Sequence, residues 1–502
     1  MASDPNFRPT LRLHKLSWLF GLTLAIRQMG LPLLALFFFG ARDDDTGQFG
    51  PYVVPVILVM LLARALWRQW TYRYGFGPNG LLVREGLLFR NVRQIEYGRI
   101  ENIDTERGLL HRLLRVAEVR VQTSTGGKPE ARISVLDLAA VQEMRDRVFG
   151  DNKPDANTVD AAAEATLLHL PTGELIRYGL IDNRGMIVVA AGVGVLHEAG
   201  MVNVGWHAIE RLFPFSRDLF ALGLMLQIAL LAITVLGALI TVRILSVALA
   251  LVTLHDFRLT RQNGDLRARY GLFTRIALTL RTRRIQAVHQ TESLLHRWLD
   301  RVTLNVDLAG DSGGGEQGED VTTPRARWLA PVCPANAAPA LIATALPSID
   351  LSEEPDWQPL APRARGRIFR KSAALAILIL TVPAIWYLRE GAILVVLGCI
   401  PLAWMHAHLY TKHTRWALAK DAVMFRSGWL TRRLTIVPRD RVQTMSLDAS
   451  PFDRRSRMAN IFVDTAGGGA TRAGIRIRYL AADVAEKLAT ALYRTADASV
   501  AR

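Results

Sequence analysis

The sequence predicts a membrane protein of mixed class, in which about six apolar helical segments alternate with three copies of a small α+β module. Three observations carry this. Half of the residues are hydrophobic and the mean hydropathy is +0.17, although 21% of the chain is charged. Apolar and charged residues are also segregated: between Leu219 and Leu254 only Arg243 is ionisable, whereas Arg363 to Arg370 holds four arginines. Finally, the stretches that follow the second, fourth and sixth apolar segments align with one another without gaps.

The apolar segments run from Leu16 to Gly40, Phe49 to Trp67, Gly185 to Leu196, Leu219 to Leu254, Ser372 to Leu388 and Ala392 to Tyr410. About 20 apolar residues cross the hydrocarbon of a bilayer, so six crossings are expected. Arg27 divides the first segment, and the third is short unless it recruits Leu175 to Ile181 across Asp182 and Arg184. An amphipathic segment lying in the interface ahead of each first crossing is the alternative. Arg243 is expected at the inner interface, and Trp67, Trp70 and Tyr72 mark that interface after the second segment. No cleavable signal peptide is expected, since no small-residue cleavage site precedes Arg42.

Orientation follows from the connectors within each pair. Ala41 to Gly50 and His197 to Asp218 are net acidic and Arg389 to Gly391 is neutral, while the whole chain carries +16. By the positive-inside rule the hairpin tips face outward and both termini and all soluble modules face the cytoplasm of a bacterial inner membrane. The excess basic charge suits an anionic membrane surface, and nucleic acid is not expected as a partner.

The repeat aligns on a glycine: Gly86-Leu87-Leu88, Gly271-Leu272-Phe273 and Gly428-Trp429-Leu430. Thirteen residues later stand Arg99-Ile100, Arg284-Ile285 and Arg441-Val442, and at 33 and 35 come Val119 and Val121, Leu304 and Val306, Ile461 and Val463. Leu81 to Arg84 and Leu87 to Ile95 read as strands around a turn at Glu85-Gly86. Glycine-rich turns at Gly126-Gly127, Gly313-Gly314-Gly315 and Gly467-Gly468-Gly469 precede strands at Ala131 to Val135, Arg325 to Leu329 and Gly474 to Tyr479. Helices are expected at Leu138 to Phe149 and Ala482 to Tyr493, with a Pro/Ala-rich counterpart at Ala330 to Leu346. The domains are then residues 1–70 (membrane pair), 71–150 (module), 170–254 (membrane pair), 255–346 (module), 347–371 (linker), 372–410 (membrane pair) and 411–496 (module).

The Gly-Leu-Leu hairpin, the Arg-Ile-x-x-Ile strand at Arg99 to Ile103 and the Leu-Leu-His-Arg at Leu109 to Arg112 and Leu294 to Arg297 resemble the YdbT/YdbS-like family of bacterial membrane proteins. Its soluble units are bacterial pleckstrin-homology-like (PH-like) domains of the second type. The resemblance implies three small, strongly bent β-barrels, each closed by one C-terminal helix. The third copy departs from it at Pro451-Phe452-Asp453-Arg454.

Four positions are arginine in every copy: Arg84, Arg269 and Arg426; Arg90, Arg275 and Arg432; Arg99, Arg284 and Arg441; Arg112, Arg297 and Arg454. These are the candidate contacts for anionic headgroups or a partner protein; solvated strand-face positions are the plain alternative. His406, His408 and His413 lie on different faces or turns of one helix and do not converge on a metal. His111 and His296, replaced by Asp453 in the third copy, suit packing or hydrogen bonding. The glycine runs lack the Lys-Ser or Lys-Thr of a phosphate loop, and Cys333 and Cys399 are the only cysteines, too few for a zinc site. No catalytic constellation is visible, so no enzyme activity, cofactor or metal is expected. The expected function is a non-enzymatic scaffold or accessory subunit contacting lipid, a shorter paralogue or copies of itself. A transport or export accessory is the alternative.

Overall fold

The computed structural model describes residues 11–14, 17–20, 22, 50–77, 80–86, 91–123, 131–149, 165–198, 224–262, 264–309, 328–351, 353–388, 392–465 and 474–500. The hairpin tips expected to face outward, the glycine-rich turns, Arg90 and most of the first apolar segment lie outside them. The chain divides into two compact units, and the division falls inside the second repeat.

In the first unit, β1 (Leu11–Arg12) stands ahead of the first membrane pair and pairs antiparallel with β2 (Arg73–Phe76), the strand that follows helix α1 (Gly50–Thr71). The membrane pair is thus an insertion between neighbouring strands. Strands β3 (Gly80–Glu85) and β4 (Asn91–Glu96) complete a four-stranded sheet. A short 3-10 turn leads into β5 (Ile100–Arg107), helix α2 (Leu109–Leu113), β6 (Val116–Thr123), β7 (Ala131–Asp137) and helix α3 (Leu138–Phe149). Tyr74, Leu81, Val83, Ile95, Ile103, Val119 and Val121 alternate along these strands and meet Val141 and Met144 of α3 in one core. Tyr72, expected at the membrane interface, is instead 2% exposed within that core, because β2 begins one residue later and draws it in.

The second repeat opens with β8 (Ala165–His169), again a strand ahead of the membrane segments. The third apolar segment does not recruit Leu175 to Ile181. Those residues form a separate helix, α4 (Thr172–Ile181), and α5 (Arg184–Glu198) starts beyond an extended Asp182. Helix α6 (Leu224–Thr253) packs on α4, with Gly179 so close that an added Cβ would lie 2.4 Å from Val247 Cα. Arg243 closes the break: its guanidinium donates to the carbonyls of Leu180 (3.0 Å) and Asp182 (3.2 Å) and to Asn183 Oδ1 (3.0 Å). A cation there satisfies carbonyls that a helix end leaves unpaired.

Strands β9 (Arg258–Gln262), β10 (Asp265–Tyr270) and β11 (Arg275–Leu280) follow. Beyond them come β12 (Ile285–Glu292), helix α7 (Leu294–Trp298), β13 (Arg301–Leu308), β14 (Trp328–Pro334) and helix α8 (Ala338–Ala345). Strand β14 overlaps the expected Arg325 to Leu329 at Trp328 and Leu329 and runs on to Pro334. Its fully buried run through Cys333 pairs with β13, and residues 325–327 lie outside the described set.

The third repeat, in the second unit, has β15 (Gln358–Pro359), helices α9 (Ala364–Leu388) and α10 (Ala392–His413), and strands β16 (Arg415–Leu418), β17 (Ala422–Ser427), β18 (Arg432–Pro438) and β19 (Val442–Asp448). Helix α11 (Pro451–Arg455), β20 (Met458–Thr465), β21 (Ile475–Ala481) and helix α12 (Ala482–Val500) close it. Ala485, Leu488 and Leu492 place one stripe of α12 over the core formed by Ile461, Val463, Ile475 and Ile477.

Among the described residues one stretch, Ile228–Thr253 of α6, is both long and apolar enough to cross a membrane, where about six segments were expected. Helices α1, α9 and α10 have 22, 25 and 22 residues. Arg64 and Arg68 interrupt α1, and α9 opens on Arg365, Arg367, Arg370 and Lys371.

The sheets do not close repeat by repeat. One seven-stranded sheet in the first unit runs β7-β6-β5-β11-β10-β9-β8, and one in the second runs β14-β13-β12-β18-β17-β16-β15. The second sheet of one repeat therefore continues into the first sheet of the next. At each join the repeat glycine turns the chain with positive φ, +111° at Gly271 and +89° at Gly428, and an added Cβ would lie 2.0 Å from Thr274 O or 2.1 Å from Thr431 O. Gly428→Ala is expected to destabilise the protein by at least the ~1–3 kcal/mol of a strained backbone. Gly98→Ala, where a Cβ meets nothing within 4 Å, is the control that should leave thermal unfolding in detergent unchanged.

Candidate functional site

The short helix between the first two strands of each second sheet is built the same way three times. In α7, Ser293 N donates to His296 Nδ1 (3.2 Å) while His296 N donates to Ser293 Oγ (3.4 Å), a reciprocal capping box. In α2, Gly108 N donates to His111 Nδ1 (3.3 Å). Burial, with the Phe20 ring 4.0 Å away, pushes the His111 imidazole below its ordinary value and so favours this neutral acceptor. In α11 the partners are Ser450 and Asp453: Asp453 N donates to Ser450 Oγ (3.2 Å), and Ser450 Oγ donates to Asp453 Oδ2 (2.5 Å). Burial alone would raise the Asp453 carboxyl, but the bonds from Ser450 and from Arg367 (3.2 Å) hold it below the usual carboxylate value. The same helices end on a left-handed residue, Arg115, Asp300 or Arg457, with φ of 55°, 51° and 52°.

The next residue in each of these helices is a repeated arginine, and in two copies it reaches into the following repeat. Arg112 donates to Leu272 O (3.3 Å), and Arg297 to Trp429 O (3.0 Å) and Leu430 O (3.1 Å). These carbonyls belong to the glycine hairpins. Each hairpin in turn rests on the last turns of the apolar helix before it: Gly271 N donates to His255 O and Leu272 N to Val252 O, while Trp429 Nε1 donates to His406 Nδ1 (3.0 Å). The other histidines of α10 have their own partners, His408 stacked on Trp404 and His413 Nδ1 bonded to Leu409 O (2.8 Å).

Around these joins lies an exposed apolar fringe. Leu113, Leu272 and Phe273 are exposed at the first, and Trp298 (82%) and Leu430 at the second. Phe452 is exposed beside the start of α9, with the Arg367 guanidinium 5.0 Å from its ring centre.

The remaining repeated arginines divide by role. Arg284 donates to Ala309 O (2.6 Å) and pins the end of β13. Arg441 pairs with Asp440 at 3.4 Å, both partly exposed. Arg426 and Arg432 line a cavity of about 180 Å³ with Gln290, Glu292, Trp357 and Leu434, and Arg432 lies opposite Glu292 across the sheet. Arg269, Arg275 and Arg454 are exposed and Arg84 is half-buried, whereas the Arg99 side chain and Arg90 lie outside the described set.

One arginine series escaped the sequence reading. Arg73, Arg258 and Arg415 stand eleven residues before Arg84, Arg269 and Arg426, so extending the glycine alignment toward the membrane segment would have found them. Arg73 lies directly opposite Arg84, and Arg415 directly opposite Arg426. Arg73 and Arg415 each stand two residues beyond the last residue of an apolar helix, Thr71 of α1 and His413 of α10.

The Bacterial PH domain family matches the chain three times, over residues 26–151, 215–330 and 373–496. The chain belongs to that family. Each match takes in one glycine hairpin, one short capped helix and the strands that flank them. The chain is also 23% identical over 478 residues to the UPF0699 transmembrane protein YdbT of Bacillus subtilis (strain 168), covering 92% of each chain. No solved structure matches. These similarities and the apolar helix α6 mark a membrane protein that carries repeated bacterial PH domains.

The bacterial PH domain repeats thus use one arginine position as a clamp on the next repeat. Arg297→Ala is expected to cost ~1–3 kcal/mol through the lost charged donor. Arg454→Ala, at the same repeat position but exposed, should leave the melting temperature within the scatter of surface substitutions. Thermal unfolding of the two variants side by side checks this.

Proposed function

We propose that the chain is a non-enzymatic scaffold of the bacterial inner membrane, whose PH-like repeats face the cytoplasm and grip anionic headgroups where the membrane helices emerge. The observation that carries this reading is the opposed arginines, Arg73 with Arg84 and Arg415 with Arg426. Like charges placed directly opposite one another on a sheet cost stability. A phosphate between them would reverse the sign of that term, and each basic residue near an anionic surface contributes about 1 kcal/mol. The exposed apolar fringe at Leu272, Phe273, Trp298 and Leu430 suits the same level of the bilayer, since these residues sit on hairpins and short helices tied to membrane-helix ends. In this reading the six apolar segments form three hairpins, and α1, α9 and α10 cross the membrane alongside α6. Exposed apolar side chains along α1, α9 and α10 support this: Val59 and Met60, Leu378 and Ile379, Leu402 and Trp404.

The test uses the full chain, because β5 and β12 are each shared with the next repeat and a single excised repeat would lose a paired edge. Protein extracted from membranes should retain anionic over zwitterionic lipid. The excess should shrink as salt rises, since screening shortens from about 8 Å at physiological ionic strength to about 3 Å at 1 M. Arg415→Gln with Arg426→Gln should lower the retained anionic share without lowering the melting temperature. An unchanged lipid profile in that variant would remove the headgroup reading.

The orientation has its own check. Reporter fusions after Val148, Leu346 and Arg502 should all signal cytoplasm, and fusions at Asp44 and Val204 the outside. A soluble repeat found outside would reverse the assignment.

A further inference from the structure

The two joins between repeats obey one rule of register. In the first, β11 pairs antiparallel with β5 and Ala277 faces Thr105; in the second, β18 pairs with β12 and Leu434 faces Gln290. Ala277 and Leu434 each stand six residues after the repeat glycine, and Thr105 and Gln290 each six residues after the repeat arginine at Arg99 and Arg284. Two strands occupy the same positions in the repeat but, among the described residues, pair with a strand on one side only. They are β4, at the edge of the sheet β1-β2-β3-β4, and β19, at the edge of β19-β20-β21.

Both edges look like halves of a missing join. The bulge near the start of β19, between Val442 and Thr444, is no guard against pairing. The same irregularity falls between Ile100 and Asn102 of β5 and between Ile285 and Ala287 of β12, strands that pair on their other side regardless. Neither β4 nor β19 contains lysine or proline, and the charged residues on them are Arg93, Glu96 and Asp448. Applying the register rule sets Val92 opposite Leu447, and these are exposed apolar residues at 55% and 47%. It also sets Asn91 opposite Asp448 and Arg93 opposite Ser446, polar against polar on the other face. Arg112 and Arg297 reach the next repeat's hairpin, while the matching Arg454 is exposed.

We propose that copies of this chain join head to tail, β19 of one pairing antiparallel with β4 of the next in the register of the two internal joins. The contact is heterologous, so every copy offers one donor edge and one acceptor edge, and assembly continues until a ring closes or a row runs out. Backbone hydrogen bonds supply affinity, and the Val92 and Leu447 pair supplies register. This inference does not depend on what the arginine pairs bind.

The test exploits the two unlike edges. In lipid nanodiscs the full-length protein should have the mass of two or more copies. Val92→Lys disables only the β4 edge and Leu447→Lys only the β19 edge, so each variant alone should be a single copy. Co-expressed, they retain one intact edge apiece, and the mixture should yield particles of two copies, one of each variant, and none larger. That recovery also shows that both variants fold. A wild-type particle of one copy overturns the proposal, whether its edges are closed within the chain or by another protein. So does a wild-type mass in either variant alone, or a mixture that stays single.

Discussion

A β-strand at the edge of a sheet presents a row of backbone donors and acceptors, and their satisfaction organises this protein. The bacterial PH repeat supplies a sheet of four strands and a sheet of three, each with an edge to cover. Here the edges of successive repeats cover one another. The contrast is visible in exposure: no residue of β12, inside a join, is exposed, whereas its counterpart β19, outside one, is exposed at five of its seven residues. The first and third repeats each pack their own two sheets and C-terminal helix over one core, and successive repeats are joined edge to edge through their strands.

The membrane segments enter this scheme as insertions. Because β1, β8 and β15 precede the apolar segments while β2, β9 and β16 follow them, each membrane pair is bracketed by two hydrogen-bonded strands. The glycine hairpins add a second tie, from the sheet to the last turns of the helix. A displacement of a membrane helix end would thus be felt by a hairpin, by the arginine that clamps it, and by the short capped helix of the preceding repeat. That chain of contacts, Val252 to Leu272 to Arg112 in the first unit and His406 to Trp429 to Arg297 in the second, is continuous and made of hydrogen bonds.

What the sequence revealed and what it concealed follow from the range of each signal. Helix Leu138–Phe149 and the strands around Gly86, Gly271 and Gly428 were legible because periodicity and a positive-φ turn are local. The pairing of β5 with β11 was not, since alternation identifies a buried face and says nothing about which strand lies alongside. Strands β1 and β15 have two residues each, too few for a period to register. The replacement of His111 and His296 by Asp453 looked like a departure from the family, yet all three are the same capping position filled by a different acceptor. Tyr72 was misplaced because an aromatic belt and a core tyrosine share one composition.

The arginines show why repetition is a poor guide to binding unless geometry is consulted. A residue kept at one position in three copies can be kept by the fold, and Arg284 on its own backbone and Arg297 on the next hairpin are of that kind. A guanidinium that already donates to a buried carbonyl gains little from a phosphate, because the new bond must replace an old one. Arginines set against another arginine are in the opposite position. Arg73 with Arg84 and Arg415 with Arg426 repel across the strand pair, so an anion shared between them removes a cost and adds an attraction at once. The fold thus uses one residue type both in clamps that hold repeats together and in opposed pairs beside the helix ends, and the proposed headgroup contact rests on the second arrangement.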